Sequence, residues 1–317
     1  MAGTTNFVAA QQVNRRNTLV LLVALTALAA LLGYLVGWVL QAEVTDEVWT
    51  VSIAGLVLGG ALMAASVVWS GISLAFGSRI VNAMAEARPI AKEDAPQLFN
   101  VVEEMSIAAG VPMPTVRIME TDALNAFATG TSTSNASIAV TRGLLNTLNR
   151  DELQGVVAHE MSHIANLDTR YMTIVGVTVG LIALVADMIL RTLQWGSSGS
   201  SNRSDKKSSG AGLLVIVLLV VAVIAPLAAK AVQMAVSRQR EYLADATSVQ
   251  FTRNPDGLIS ALAKLAAAAA PFPGVSRATQ HLFIVNPLHT FTAKSSALMA
   301  THPDVADRIA RLRNLGR

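Results

Sequence analysis

Two stretches of this 317-residue chain, 18–40 and 50–77, carry no charged side chain, and each exceeds the about 20 residues with which a helix crosses a bilayer. They predict an anchoring hairpin in front of everything else. A cleaved signal peptide is the competing reading of the first run, but the run outlasts the roughly 7 to 15 apolar residues of such a signal, which favours an uncleaved span. The polar segment 1–17 ends in Arg15 and Arg16, and Arg79, Arg88 and Lys92 follow the second run, whereas the connection 41–49 holds Glu43, Asp46 and Glu47 without a Lys or Arg. By the positive-inside rule the outer ends of the hairpin then lie in the cytoplasm. The whole composition agrees, with 52% hydrophobic and 14% charged residues against the roughly one quarter charged in soluble proteins. Gly33 and Gly37, with Gly55 and Gly59, offer places where two spans can approach closely.

From Arg79 to Asp168 the composition is that of a soluble α/β domain. Residues 94–109 predict an amphipathic helix that starts around Pro96 and stops at Gly110 and Pro112. Alternation over 115–120 predicts a strand, 125–130 is a link of small residues, and 136–141 predicts a second strand. That strand either offers its edge to an extended peptide or only covers the helix that follows.

The following helix is well marked. Asn149 is a good N-cap, Glu152 completes a capping box, and Asp151 and Glu152 suit the positive helix end. Within it His159, Glu160 and His163 form His-Glu-x-x-His, which puts both imidazoles on one helix face. Two such nitrogens can share one metal ion, and Glu160 is placed to take a proton from a water held by that ion. The chain has no Cys, so a metal must be held by nitrogen and carboxylate oxygen, the donor set of open, catalytic zinc sites more than of closed ones. The net charge of +3 comes without a dense basic cluster, which argues against a nucleic-acid partner.

Downstream, 171–190 is mostly apolar with Asp187 four residues before Arg191, 195–212 is Ser/Gly-rich with Arg203, Lys206 and Lys207, and 211–229 is apolar up to Pro226. These predict a second hairpin. Glu241 and Asp245 then share a helix face, either as solvated carboxylates beside Arg238 and Arg240 or as part of the metal site. If Glu241 joins His159 and His163, the second hairpin must return the chain to the side it left, by two crossings or none.

His159-Glu160-Met161-Ser162-His163, followed at a distance by Ser237, Arg238, Glu241, Ala244 and Asp245, resembles the membrane-bound HtpX-type zinc endopeptidases, relatives of the CAAX prenyl endopeptidases in the gluzincin group. Asn125-Ala126-Phe127-Ala128, Asp168 and the terminal segments 283–288 and 301–309 fit the same resemblance. It implies a mainly α membrane protein with an α+β zincin-like metalloprotease domain and four apolar segments in two hairpins. The expected division is 1–78 for the first hairpin, 79–170 for the first part of the catalytic domain, 171–233 for the second hairpin and 234–317 for the second catalytic part.

The resemblance further implies one Zn2+ per chain on His159, His163 and Glu241, with Glu160 as catalytic base and Asp245 orienting a ligand imidazole. His302 is either a hydrogen-bond donor to the developing oxyanion or a helix-start residue, and Arg308 either pairs with a site carboxylate or is exposed. His281 and His289 match no ligand spacing. The expected function is zinc-dependent cleavage of membrane or misfolded proteins, as in membrane protein quality control and stress response, at the cytoplasmic face of a prokaryotic inner or plasma membrane. A noncatalytic metal-binding scaffold or a transporter is the alternative, although a transporter normally keeps its polar ligands within its spans. The oligomeric state is not legible.

Overall fold

The two uncharged runs fold as helices that continue well past their apolar limits. In the computed structural model, α1 spans Phe7–Thr45 and α2 spans Ile53–Met84. Both are long and apolar enough to cross a membrane. At 39 residues α1 is about 58 Å long, nearly twice the roughly 30 Å of hydrocarbon in a bilayer. Much of its surplus is the polar segment before Thr18, which remains helical, and the helix also continues past the apolar run to Thr45. The structure describes residues 7–45, 51–178, 238–268 and 303–315. The second predicted hairpin beyond 178, with its Ser/Gly-rich loop, lies outside them, as do His281, His289 and His302.

The chain divides into two units, with boundaries that fall inside both long helices. Among the described residues one unit comprises 19–45 and 51–75. Its helices meet at glycines: a Cβ on Gly33 would come within 2.7 Å of Leu58 O, and one on Gly59 within 2.8 Å of Ala30 O, so the backbones touch where larger residues would hold them apart. Thr26 and Ser66 add a hydroxyl pair at 3.2 Å.

The other unit comprises the described residues of 7–18, 76–178 and everything from 238 onward. Its sheet has β1 (Arg88–Pro89), β2 (Thr115–Met119), β3 (Ala126–Thr129) and β4 (Ser137–Thr141) in the order β1-β2-β4-β3. β2 and β4 run parallel, with Val116 opposite Ile138 and Ile118 opposite Val140, and β3 pairs antiparallel with β4. Two expectations change here. The 125–130 link contains a strand, and the strand at the sheet border is β3, because β4 is paired on both sides. β3 shows no apolar/polar alternation for a physical reason: all four of its residues are buried, so neither face selects polar side chains.

Helix α3 (Pro96–Ala109) begins with proline in its first turn and ends at Gly110, whose φ of 65° is a left-handed cap that glycine adopts without steric strain. After the short α4 (Arg142–Thr147) comes α5 (Arg150–Ala165), which carries His-Glu-x-x-His. Its capping box forms as expected: Glu152 N donates to Asn149 Oδ1 at 3.0 Å and Asn149 N donates to Glu152 Oε2 at 2.8 Å. A second helix, α6, occupies 168–178, followed by α7 (Arg238–Thr252), α8 (Pro255–Ala267) and α9 (Val305–Leu315).

Thirteen of the 16 residues of α5 are buried, because α3, α7, α8 and β3 all pack on it. The α5–α8 approach runs through two glycines. A Cβ on Gly155 would lie 2.6 Å from Leu258 N, so any side chain there would push α8 away. Leu98, Val102, Val116, Ile138, Val157 and Met161 form the centre of the core between α3, the sheet and α5.

Candidate metal centre

Two helices each bring a pair of polar side chains one turn apart to the same point. α5 supplies His159 and His163, whose rings meet edge to face with centroids 4.9 Å apart. α7 supplies Glu241 and Asp245. Glu241 stands before both imidazoles, with Oε2 3.7 Å from His159 Nε2 and Oε1 3.6 Å from His163 Nε2. One donor atom from each of His159, His163 and Glu241 lies within 4.8 Å of the others, and all three residues are buried.

The two remaining imidazole nitrogens are each held by a carboxylate. His159 Nδ1 is 3.0 Å from Asp245 Oδ1, and His163 Nδ1 is 3.0 Å from Asp168 Oδ2. With Nδ1 turned to its carboxylate, each ring directs Nε2 toward Glu241, the orientation that metal-bound histidines require. Asp168 reaches His163 because the chain reverses at Asn166 and Leu167, the latter in a left-handed conformation at φ 59°. His159 Nε2 is buried and has no hydrogen-bond partner.

The site fits a zinc ion on that evidence. Tetrahedral zinc with nitrogen and oxygen ligands separates its donors by about 3.3 to 3.6 Å, close to the observed Glu241–imidazole separations. A buried acceptor nitrogen without a donor also needs a partner of some kind.

Arg308 of α9 completes the cluster and is fully buried. Its Nε donates to Asp245 Oδ2 at 2.9 Å and its Nη2 to Asp245 Oδ1 at 2.6 Å, a two-point clamp, while Nη1 stands 3.7 Å from Glu241 Oε2. Burial works to raise the Asp245 carboxyl, but Arg308 and His159 hold it below the usual range. Burial likewise opposes the charge of Arg308, which Asp245 and Glu241 nonetheless favour, so its pKa is raised.

The same forces divide the imidazoles. Burial dominates at His159 and lowers it. At His163 burial also lowers, but the Asp168 hydrogen bond and the charge of Glu241 outweigh it and push the ring up to about 9. Glu160 lies close to the Ala128 amide of β3. Burial pushes Glu160 up to about 8; the charge of Glu241 adds to the rise, and His163 and the Ala128 amide oppose it.

Of the residues expected from sequence, the structure therefore brings together His159, Glu160, His163, Glu241, Asp245, Asp168 and Arg308. His302 is outside the described residues. The Ala128 amide belongs to a stretch read as a link, and the approach of α1 to Asp168 had no sequence signal beyond two polar residues, Gln11 and Asn14, three apart.

Comparison with known proteins adds a family. The model of peptidase family M48 matches residues 92–316. A protein from Thermoanaerobacter pseudethanolicus named Protease HtpX homolog is 42% identical over 305 residues, covering 96% of each chain. A protein of the same name from Listeria innocua is 42% identical over 308 residues, covering 95% of this chain and 97% of its own. The solved structure of S. mikatae Ste24p is similar over 78% of this chain and 57% of its own, with a TM-score of 0.44 and 18% identity.

Proposed function

Since the chain belongs to peptidase family M48, we propose that it is a membrane-bound zinc endopeptidase in which His159, His163 and Glu241 hold the metal and Glu160 is the catalytic base. The observation that carries this reading is the convergence of three buried donors on one point, with both imidazoles backed by carboxylates and Glu160 on the same helix. Zinc bound there would lower the pKa of water toward neutrality and polarise a peptide carbonyl.

The protein's own groups supply the rest. Glu160, raised by burial toward the range in which a carboxylate readily takes and returns a proton, accepts the water proton and delivers it to the leaving amine. Asp245 and Asp168 keep the imidazoles aligned through that exchange, and Arg308 keeps Asp245 ionised and in place. β3 is suited to hold the substrate. Thr141 N of β4 donates to Asn125 O, so by antiparallel alternation the main chain of Ala128 faces away from β4, on the side near Glu160. A peptide extended along β3 would bring its scissile bond past the base.

The two long apolar helices and the bacterial relatives make this a prokaryotic membrane protein. The donors lie on helices of the unit outside 19–75, not within the apolar spans, which favours an enzyme over a transporter. Arg15, Arg16, Arg79, Arg88 and Lys92 favour a cytoplasmic catalytic unit. Substrates are then cytoplasmic segments of membrane proteins, or misfolded chains near the bilayer. Full-length protein in detergent should cleave a generic unfolded protein, lose that activity to a chelator and regain it with zinc. Cleavage that persists in the chelator would overturn the proposal.

A further inference from the structure

We propose that Asn14 is a positioning residue of the metal centre, so that the first helix, before it becomes apolar, helps to align the metal-binding imidazole of His163. The inference rests on the zinc reading above and adds a residue to it.

Asn14 is 4% exposed, on the polar first turns of α1. Its Nδ2 donates to Asp168 Oδ1 at 2.7 Å and to Asn166 O at 2.9 Å. Both partners are acceptors, which assigns the amide nitrogen to that side. Asp168 is 2% exposed, and its other oxygen faces His163 Nδ1 at 3.0 Å. The three side chains thus form one buried relay: amide, carboxylate, imidazole. Arg240 Nε approaches the same Oδ1 from α7 at 3.7 Å, a longer contact from a partly exposed side chain.

A carboxylate held at one oxygen alone can turn about its Cβ–Cγ bond and leave its partner misaligned. Asn14 holds the second oxygen, which sets the carboxylate plane and with it the direction of the His163 ring. A buried asparagine that merely capped a helix end would need only the Asn166 carbonyl. Gln11 does just that one turn earlier on the same face: its Nε2 donates to Ala165 O at 2.8 Å and no contact to Asp168 is seen. Gln11 is therefore the natural control, since it docks α1 on the end of α5 without entering the relay.

The test is a zinc-affinity measurement on the full-length, detergent-solubilised protein by competition with a chromogenic chelator. Asn14→Ala should weaken zinc binding about tenfold, the low end of what loss of an outer partner to a ligand does. Gln11→Ala should stay within about twofold of the starting protein, and Asn14→Ala should cause no further loss once Asp168→Ala is present, because its effect passes through that carboxylate. Asn14→Leu, of similar shape but without a donor, carries the same expectation should the alanine variant fail to fold. Equal losses for Gln11→Ala and Asn14→Ala, or losses that multiply in the double variant, would overturn the proposal. If the unaltered protein takes up no zinc, the reading of the metal centre fails first and takes this inference with it.

Discussion

Replacing Arg308 by methionine should be among the most damaging single changes in the catalytic unit, although it removes no metal ligand. Arg308 is fully buried and holds both oxygens of Asp245, which is itself 3% exposed. Methionine fills much of the space but leaves Asp245 charged, buried and close to Glu241. Breaking a buried pair on one side costs about 3 to 5 kcal/mol, against well under 1 kcal/mol for an exposed arginine. At about 2 to 4 °C per kcal/mol for a unit of this size, the midpoint of thermal unfolding should fall by about 6 to 20 °C. The measurement belongs on full-length protein with chelator present, so that bound zinc does not add its own stabilisation. Adding Asp245→Asn should recover most of the loss, since the amide needs no counter-charge and still offers an oxygen to His159 Nδ1. A midpoint within about 2 °C for Arg308→Met, or a double variant no better than the single, would refute the assignment of Arg308 as the charge that permits Asp245 to be buried.

Three further outcomes follow from the same geometry. Glu160→Gln should keep zinc bound while hydrolysis falls by about 100-fold to 10,000-fold, the usual loss with a general base, as read by cleavage of an unfolded protein. Glu241→Ala should lower the zinc content found by elemental analysis, since two imidazoles alone leave the site short of a protein ligand. Zinc affinity should rise with pH: His163 is pushed up to about 9, so at neutral pH binding must displace a proton, and fewer protons compete as pH rises toward that value. A chelator competition giving the same affinity at about pH 6 and about pH 8 would contradict this.

How much of this was visible in the chain depends on the kind of signal each residue leaves. His159, Glu160 and His163 are legible because helical spacing and metal chemistry restrict the same five positions, and Glu241 with Asp245 repeats that spacing on a second helix. The capping box at Asn149 and Glu152 is equally local. β3 left no trace, because burial of all four residues removes the alternation by which strands are read. Arg308 sits among Arg311 and Arg313 on a short helix, where nothing local separates the buried guanidinium from its exposed neighbours. Asn14 lies 154 residues from its carboxylate partner, and no pattern within α1 can announce a contact at that distance.

The burial of α5 on all sides limits where this protein can change its preferences. A helix wedged among three others and a strand, with glycine at its tightest contact, cannot shift or tilt to suit a bulkier substrate without disturbing the core. On the proposed reading, in which a peptide extends along β3, selectivity is tuned at the rim, by residues beside that strand. The helix bearing the reactive groups is thus a fixed anvil, and divergence among related enzymes should gather in the segments laid over it.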